Sequence, residues 1–125
     1  MQGQSSLRTV ALAAGAVTAV GMATLVATSG TAQAYSKPSF NCHYAKNRTE
    51  RAICRSWRLA RLDRRLAYWY DKAMLRASYF DQERWVRGQQ RRWLRWRNAC
   101  GGNKRCIGRK YRQRIRTLRN YFTHV

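Results

Sequence analysis

Four cysteines are the residues of this chain with the clearest chemistry: Cys42, Cys54, Cys100 and Cys106. Thiols in this number either pair as disulfides or bind a metal such as zinc. Eleven residues separate Cys42 from Cys54, and five separate Cys100 from Cys106. Paired cysteine ligands of zinc usually have two residues between them, so these spacings do not fit a zinc site. The sequence therefore predicts disulfides, with no metal and no cofactor.

The pairing of these cysteines is open in principle, because four cysteines allow three connectivities. We favour Cys42 with Cys54 and Cys100 with Cys106, since each pair spans a local turn. In the chain-entropy treatment, a crosslink closing a loop of this size contributes roughly 2 to 3 kcal/mol. That is a large share of the about 5 to 15 kcal/mol of net stability that a domain usually has.

Acid–base catalysis has few candidate residues in this chain. There are five Asp and Glu residues and two histidines. His43 adjoins a predicted disulfide, and His124 is the penultimate residue. The sequence has no nucleophile motif and no Gly-rich phosphate loop. We therefore expect a protein that is not an enzyme and has no small-molecule substrate.

Two opposite charges stand among uncharged helix neighbours. Asp63 has only Leu and Ala at three and four residues on either side, and Arg97 has no charged residue at these distances. A charge on an apolar face is costly unless it meets a partner. The sequence thus predicts a structural ion pair between Asp63 and Arg97 on different helices, with Arg114 as the second candidate partner. Gln90 is expected to cap a backbone group or to join this pair.

The excess of basic residues indicates a polyanionic partner. The chain has 26 Lys and Arg against 5 Asp and Glu, a formal net charge of +21. Such a charge attracts nucleic acid, anionic lipid or acidic wall polymer. Several arginines repeat at four-residue intervals, a like-charge spacing that destabilises a helix by a few tenths of a kcal/mol. The candidate polyanion-binding residues are Arg87, Arg91, Arg95, Arg105, Arg109, Arg112 and Arg116. The alternative is that these arginines are only the solvated faces of helices.

Periodicity predicts the elements that position these residues. Apolar residues recur at steps of three or four, and no strand pattern is present. The expected N-caps of four helices are Asn47, Ser56, Asp81 and Asn103. Glu50 has the spacing of a capping box with the first of them, and the second helix is expected to end near Ala77 or Tyr79. The helical periodicity predicts an all-α fold. Short connections between the helices predict an antiparallel bundle of three main helices plus a short N-terminal helix.

Residues 1–34 are typical of a secretory signal peptide. Arg8 precedes a long uncharged stretch, and residues 32–34 offer an A-x-A cleavage site. An uncleaved anchor is the alternative, because the apolar run approaches the ~20 residues that span a bilayer. With cleavage, residues 35–125 form one small exported domain, extracellular or periplasmic, where disulfides persist.

Residues 40 to 118 combine four cysteines with the motifs L-x-x-L-D and Q-R-x-W-L-x-x-R. The relevant positions in the first half are Phe40, Cys42, Ala45, Glu50, Ile53, Cys54, Leu59, Leu62, Asp63, Leu66 and Tyr70. Those in the second half are Gln90, Arg91, Trp93, Leu94, Arg97, Cys100, Cys106, Tyr111, Arg114, Ile115 and Leu118. In this combination the chain resembles the lysozyme-inhibitor LprI-like family of small exported helical domains.

The resemblance implies a non-enzymatic domain that binds or inhibits a lysozyme-type muramidase. The chain departs from the family at residues 55–58, Arg-Ser-Trp-Arg, where relatives commonly have an acidic, Pro-containing step. Familiar lysozymes are basic, so an inhibitor this basic would need its few carboxylates, such as Asp71, Asp81 or Glu83, focused at one site. The sequence leaves two hypotheses: a partner of lysozyme-type enzymes, or a cationic module that binds wall polymer, lipopolysaccharide or nucleic acid at the envelope.

Overall fold

The computed structural model describes residues 37–124, and that part of the chain is all-helical. A 3-10 turn, Cys42–Tyr44, is followed by four α-helices: α1 Arg48–Cys54, α2 Trp57–Ser78, α3 Glu83–Asn98 and α4 Lys104–Thr123. The predicted signal peptide, residues 1–34, lies outside the described residues. Within residues 37–124, no helix combines the length and the apolar character that crossing a bilayer requires.

Capping side chains explain where three of the helices begin. Asn47, Ser56 and Asn103 each accept a hydrogen bond from the backbone N–H three residues later, over 2.9, 3.4 and 3.0 Å. These three caps are as predicted. The carboxylate of Glu50 accepts from the N–H of Lys46 over 2.6 Å, one residue before the position that a capping box uses.

The predicted cap of α3 is wrong. Gln82 occupies the N-cap position, and its side chain makes no capping hydrogen bond. Asp81 instead has a φ of 54°, in the left-handed region. The N–H of Gln82 donates to the carbonyl of Ala77 over 2.9 Å, the closure of a Schellman motif. Asp81 therefore ends α2 rather than beginning α3, because a short polar side chain tolerates this conformation.

The three long helices form an up–down–up bundle. The start of α2 meets the start of α4, and Arg76 near the end of α2 meets Tyr121 near the end of α4, so α2 and α4 are parallel. Helix α3 runs antiparallel to both, since Arg97 contacts Tyr111 while Trp85 contacts Tyr121. The buried apolar core is formed by Ala52, Ile53, Leu59, Leu66, Ala73, Ala77, Val86, Trp93, Ile107, Tyr111, Ile115 and Leu118.

Two disulfides hold the ends of short segments together, as predicted. Cys42 pairs with Cys54, with their Cα atoms 5.9 Å apart, and this bond ties the 3-10 turn to the end of α1. Cys100 pairs with Cys106, with Cα atoms 5.6 Å apart, and closes the turn between α3 and α4. Disulfides are typical of proteins that work outside the reducing cytoplasm.

Candidate functional site

A concave surface lies between the first turns of α2 and the first half of α4. It is a groove of about 420 Å³ with Leu59, Leu62 and Gly108 among its lining residues. Its basic lining residues are Arg58, Lys104, Arg105, Arg109 and Arg112. No carboxylate lines it. The groove therefore combines a partly apolar lining with a single sign of charge.

A second cavity, of about 580 Å³, adjoins the first and shares Lys104 with it. Its other basic lining residues come from α1 and the residue after it. It too has no Asp or Glu in its lining. We call the two cavities together the basic groove, defined by Arg48, Arg51, Arg55, Arg58, Lys104, Arg105, Arg109 and Arg112.

Helix geometry explains why these side chains converge. Arg105, Arg109 and Arg112 recur at steps of four and three, which places them along one flank of α4. Helices α2 and α4 are parallel, and both begin at this end with Trp57 and Lys104. The positive ends of two helix dipoles therefore lie beside the side-chain cations. Charges of one sign lining a cleft focus its potential and attract anions.

Gly108 makes room for one of these cations. A methyl group at this buried position would lie 3.1 Å from Nη1 of Arg112 and 3.8 Å from Cδ2 of Leu59. The second distance is an ordinary contact, whereas the first is too close without a shift of the guanidinium. The missing side chain of Gly108 thus lets Arg112 lie across α4 within the groove.

Three of the seven candidate polyanion-binding residues line the basic groove, and the other four lie elsewhere on the surface. The three in the groove are Arg105, Arg109 and Arg112. Arg116 is exposed farther along α4 and does not line it. Another three are exposed on α3 and line neither cavity; we call Arg87, Arg91 and Arg95 the α3 arginines. The five other cations of the groove were not predicted, because they come from α1, the residue after it and the first residues of α2 and α4, which only tertiary packing brings together.

The predicted Asp63–Arg97 pair is joined by a third residue. Nη1 of Arg97 lies 4.0 Å from Oδ1 of Asp63. The Tyr111 hydroxyl donates to that oxygen over 2.7 Å and accepts from Nη1 of Arg97 over 3.1 Å. All three side chains are buried. The role of this tyrosine was not part of the prediction.

Further partners saturate this buried network. The N–H and hydroxyl of Ser39 both donate to Oδ2 of Asp63, each over 2.6 Å. Nε and Nη2 of Arg97 donate to Oδ1 of Asn98 over 3.1 and 2.9 Å, and Glu50 lies 3.8 Å from Nη2. In the described part of the chain, no buried side-chain polar atom is left without a hydrogen bond. The arrangement is that of a structural network, which joins the N-terminal segment to α2, α3 and α4.

Arg114 is not the partner of Asp63. Its Nε donates to Oε1 of Gln90 over 3.1 Å, so the alternative prediction is wrong. Gln90 accordingly bonds this arginine, not a backbone group or the Asp63–Arg97 pair. Burial lowers the pKa of Arg114, and the same cause raises the pKa of Tyr111, with the charge of Asp63 adding to it. Tyr111 therefore stays protonated and remains a donor to Asp63.

No cluster of three or more His, Cys, Asp or Glu side chains that could hold a metal occurs within residues 37–124.

Comparison with protein-family models, with curated proteins and with solved structures found no match to this chain. The resemblance to the LprI-like family thus remains a hypothesis drawn from the residues alone, and the function must be argued from the site.

Proposed function

We propose that this domain is a non-enzymatic module that works at the cell envelope and binds anionic polymers, namely wall polymer, lipopolysaccharide or nucleic acid, in its basic groove. The supporting observation is the convergence of eight cations, with no carboxylate, on two adjoining cavities. Arginines on a merely solvated helix face have no reason to line a concave surface.

Binding would be driven mainly by the release of counterions. Each Lys or Arg that neutralises an anionic group of the polymer frees a condensed counterion, so affinity falls steeply as salt rises. The half-buried Leu62 side chain in the lining adds apolar contact for the carbon atoms of the polymer. The clustered cations repel one another in the free protein. A bound polyanion removes that repulsion and should therefore raise the melting temperature.

Two triple variants test the proposal. Arg105→Gln, Arg109→Gln and Arg112→Gln remove three charges from the groove, whereas Arg87→Gln, Arg91→Gln and Arg95→Gln remove three from the α3 arginines. Both have the same net charge. Binding of a labelled single-stranded oligonucleotide is measured between 50 and 200 mM salt. We expect the groove variant to lose roughly 2 units of the slope of log K against log salt, at about 0.7 per contact. Equal losses in both variants, or a flat salt response, would reject the proposal.

A muramidase partner is the second candidate, favoured by one observation. Of the five carboxylates, Glu50 and Asp63 belong to the buried network. The other three, Asp71, Asp81 and Glu83, all lie between the second half of α2 and the start of α3. Tyr79 and Phe80, in the same turn, are 76% and 56% exposed. An exposed aromatic turn with nearby carboxylates suits a basic protein better than a polyanion.

Lysozyme turnover in the presence of the oxidised domain tests this second candidate. We expect the wild-type domain to inhibit lysozyme at a modest molar excess. The double variant Asp81→Asn/Glu83→Gln should not inhibit it. The groove variant Arg105→Gln/Arg109→Gln/Arg112→Gln should inhibit as well as the wild type. Unchanged turnover at a large excess would exclude a muramidase partner, and it would leave binding in the basic groove unaffected.

A further inference from the structure

We propose that a second surface of the domain, on the side of α3 that adjoins α4, docks on an anionic lipid bilayer. It is a strip of exposed or half-buried aromatic rings and cations. We call it the aromatic strip, defined by Trp85, Arg92 and Trp96 on α3 and by Lys110 and Tyr121 on α4. None of these residues lines the basic groove. Lipid docking is therefore independent of the polymer binding proposed above.

The two tryptophans of the strip lie on the same side of α3. Trp96 follows Trp85 by eleven positions, which at about 100° per residue brings it to within about 20° of the same line along the helix. Arg92 falls between them, also about 20° from this line. The two indole side chains are 55% and 57% exposed. Two large apolar rings on one line, about 16 Å of helix apart, can enter one plane together.

Helix α4 holds both rings from one side. The ring centroids of Trp85 and Tyr121 are 5.6 Å apart, and Nζ of Lys110 lies 5.9 Å from the ring centroid of Trp96. The indole N–H of Trp93 donates to the carbonyl of Lys110 over 3.2 Å, which fixes α3 against α4 between these two contacts. Because packed helices present the strip, docking needs little ordering of the chain, and such ordering is a main cost of association.

The residue types of the strip are those of a bilayer interface. Tryptophan and tyrosine are enriched at the level of the lipid headgroups, where a ring with a polar edge is stable. Lys and Arg lay their carbon stems on apolar surface while their charges reach the phosphates. Helix α4 contains no Asp or Glu, and α3 contains only Glu83, about 160° around the helix from Trp85. Anionic headgroups therefore attract this side of the domain.

Other occupants fit the aromatic strip less well. A second copy of the chain would bring two cationic surfaces together, and these repel. A nucleic acid strand stacks successive bases on neighbouring rings, whereas these two tryptophans are about 16 Å of helix apart. The cavity beside Trp85 is only about 20 Å³ and does not enclose a base or a sugar ring. A bilayer requires neither close spacing nor a cavity, only rings that reach one plane.

Partition of the oxidised protein onto lipid vesicles tests the proposal. The probe is a vesicle of phosphatidylcholine with about a quarter of phosphatidylglycerol. We expect Trp85→Ala/Trp96→Ala to partition at least about tenfold more weakly than the wild type, because binding scales with the apolar area buried. The matched control Trp57→Ala/Tyr68→Ala removes two exposed rings from α2 and should partition like the wild type. Equal partition of the two double variants overturns the proposal.

Quenching of tryptophan fluorescence by brominated phospholipid gives the second measurement. Trp85→Phe/Trp96→Phe keeps aromatic rings in the strip, so it should still bind vesicles but lose most of the quenching seen in the wild type. Vesicle binding of the wild type without quenching would mean adsorption by charge alone, which overturns the proposal.

The labelled oligonucleotide separates lipid docking from polymer binding. Trp85→Ala/Trp96→Ala should bind it like the wild type, whereas Arg105→Gln/Arg109→Gln/Arg112→Gln should keep the quenching by brominated lipid. If the tryptophan variant loses the oligonucleotide and keeps its vesicle partition, the rings stack on bases and the proposal is wrong.

Discussion

Tyr111 donates a hydrogen bond to Asp63 over 2.7 Å, although the two residues are 48 positions apart in the chain. This bond joins α2 to α4, and the bond from Arg97 adds α3 to the same oxygen of Tyr111. The three long helices therefore meet at one buried hydroxyl. Because the interior is apolar around it, each member of the network depends on the others for its hydrogen bonds.

Removing that hydroxyl should destabilise the fold. Tyr111→Phe leaves Asp63 and Arg97 without their bridge, and we expect a loss of about 1 to 3 kcal/mol in the free energy of unfolding. Urea denaturation followed by circular dichroism measures it. Tyr44→Phe is the matched control, since Tyr44 is 69% exposed and should tolerate the change. Equal stability of Tyr111→Phe and the wild type would show that the network does not stabilise the bundle.

The stability that Tyr111 contributes should depend on pH. Its pKa in the folded protein is raised by burial and by Asp63, whereas an unfolded tyrosine has a pKa of about 10. The contribution is therefore complete below about pH 10 and is lost as pH rises further, by about 1.4 kcal/mol per pH unit.

Comparison with Tyr111→Phe isolates this effect, because every other titrating group is common to both proteins. The difference in unfolding free energy between the wild type and the variant should be constant from pH 6 to about pH 9.5 and shrink above about pH 10. A difference that grows above pH 10 would mean that the sign of the pKa shift is wrong.

Gly108→Ala should change stability and binding in opposite directions. Alanine favours the interior of a helix by about 0.5 to 1 kcal/mol over glycine. The new methyl group would, however, stand 3.1 Å from Nη1 of Arg112, so the guanidinium must move by a few tenths of an ångström within the groove. We expect higher stability together with a few-fold weaker binding of a phosphodiester polymer.

Gly88→Ala on α3 is the matched control for this substitution. A methyl group there lies 3.9 Å from Nη2 of Arg91, an ordinary contact. It should gain similar stability and leave binding unchanged. If Gly108→Ala binds as tightly as Gly88→Ala, the position of Arg112 is not important for binding.

Asp81→Gly should stabilise the turn between α2 and α3. Asp81 has a φ of 54°, and glycine adopts this conformation without the steric cost that a Cβ atom brings. We expect a gain of roughly 1 kcal/mol, seen as a higher urea midpoint with an unchanged m-value. Asp81→Ala, which keeps the Cβ atom, should show no such gain. Similar behaviour of the two variants would mean that backbone conformation does not limit stability at this turn.

Local rules predicted most of the fold from the sequence. The caps at Asn47, Ser56 and Asn103 and the two local disulfides depend on residues only a few positions apart. Asp81 shows the limit of such rules, because the same residue type can begin a helix or end one. In this structure the hydrogen bond from Gln82 to Ala77 places Asp81 at the end of α2, and the local sequence pattern did not indicate that bond.

The candidate site was harder to predict, because its parts come from distant segments. Ser39 reaches Asp63 across 24 residues, and no periodicity predicts such a contact. The basic groove likewise depends on α2 and α4 being parallel, which places Arg58 beside Arg105. Charge spacing along one helix predicted Arg87 as readily as Arg105, although of the two only Arg105 lines the basic groove. Sequence could identify basic helix faces, and tertiary packing was needed to distinguish between them.

The most direct test of polymer binding in the basic groove is an NMR titration of the arginine side chains with a single-stranded phosphodiester oligomer. We expect the Nε–H resonances of Arg58, Arg105, Arg109 and Arg112 to shift with saturation, while those of the α3 arginines stay in place. Shifts confined to the α3 arginines, or equal shifts on both surfaces, would contradict binding in the groove.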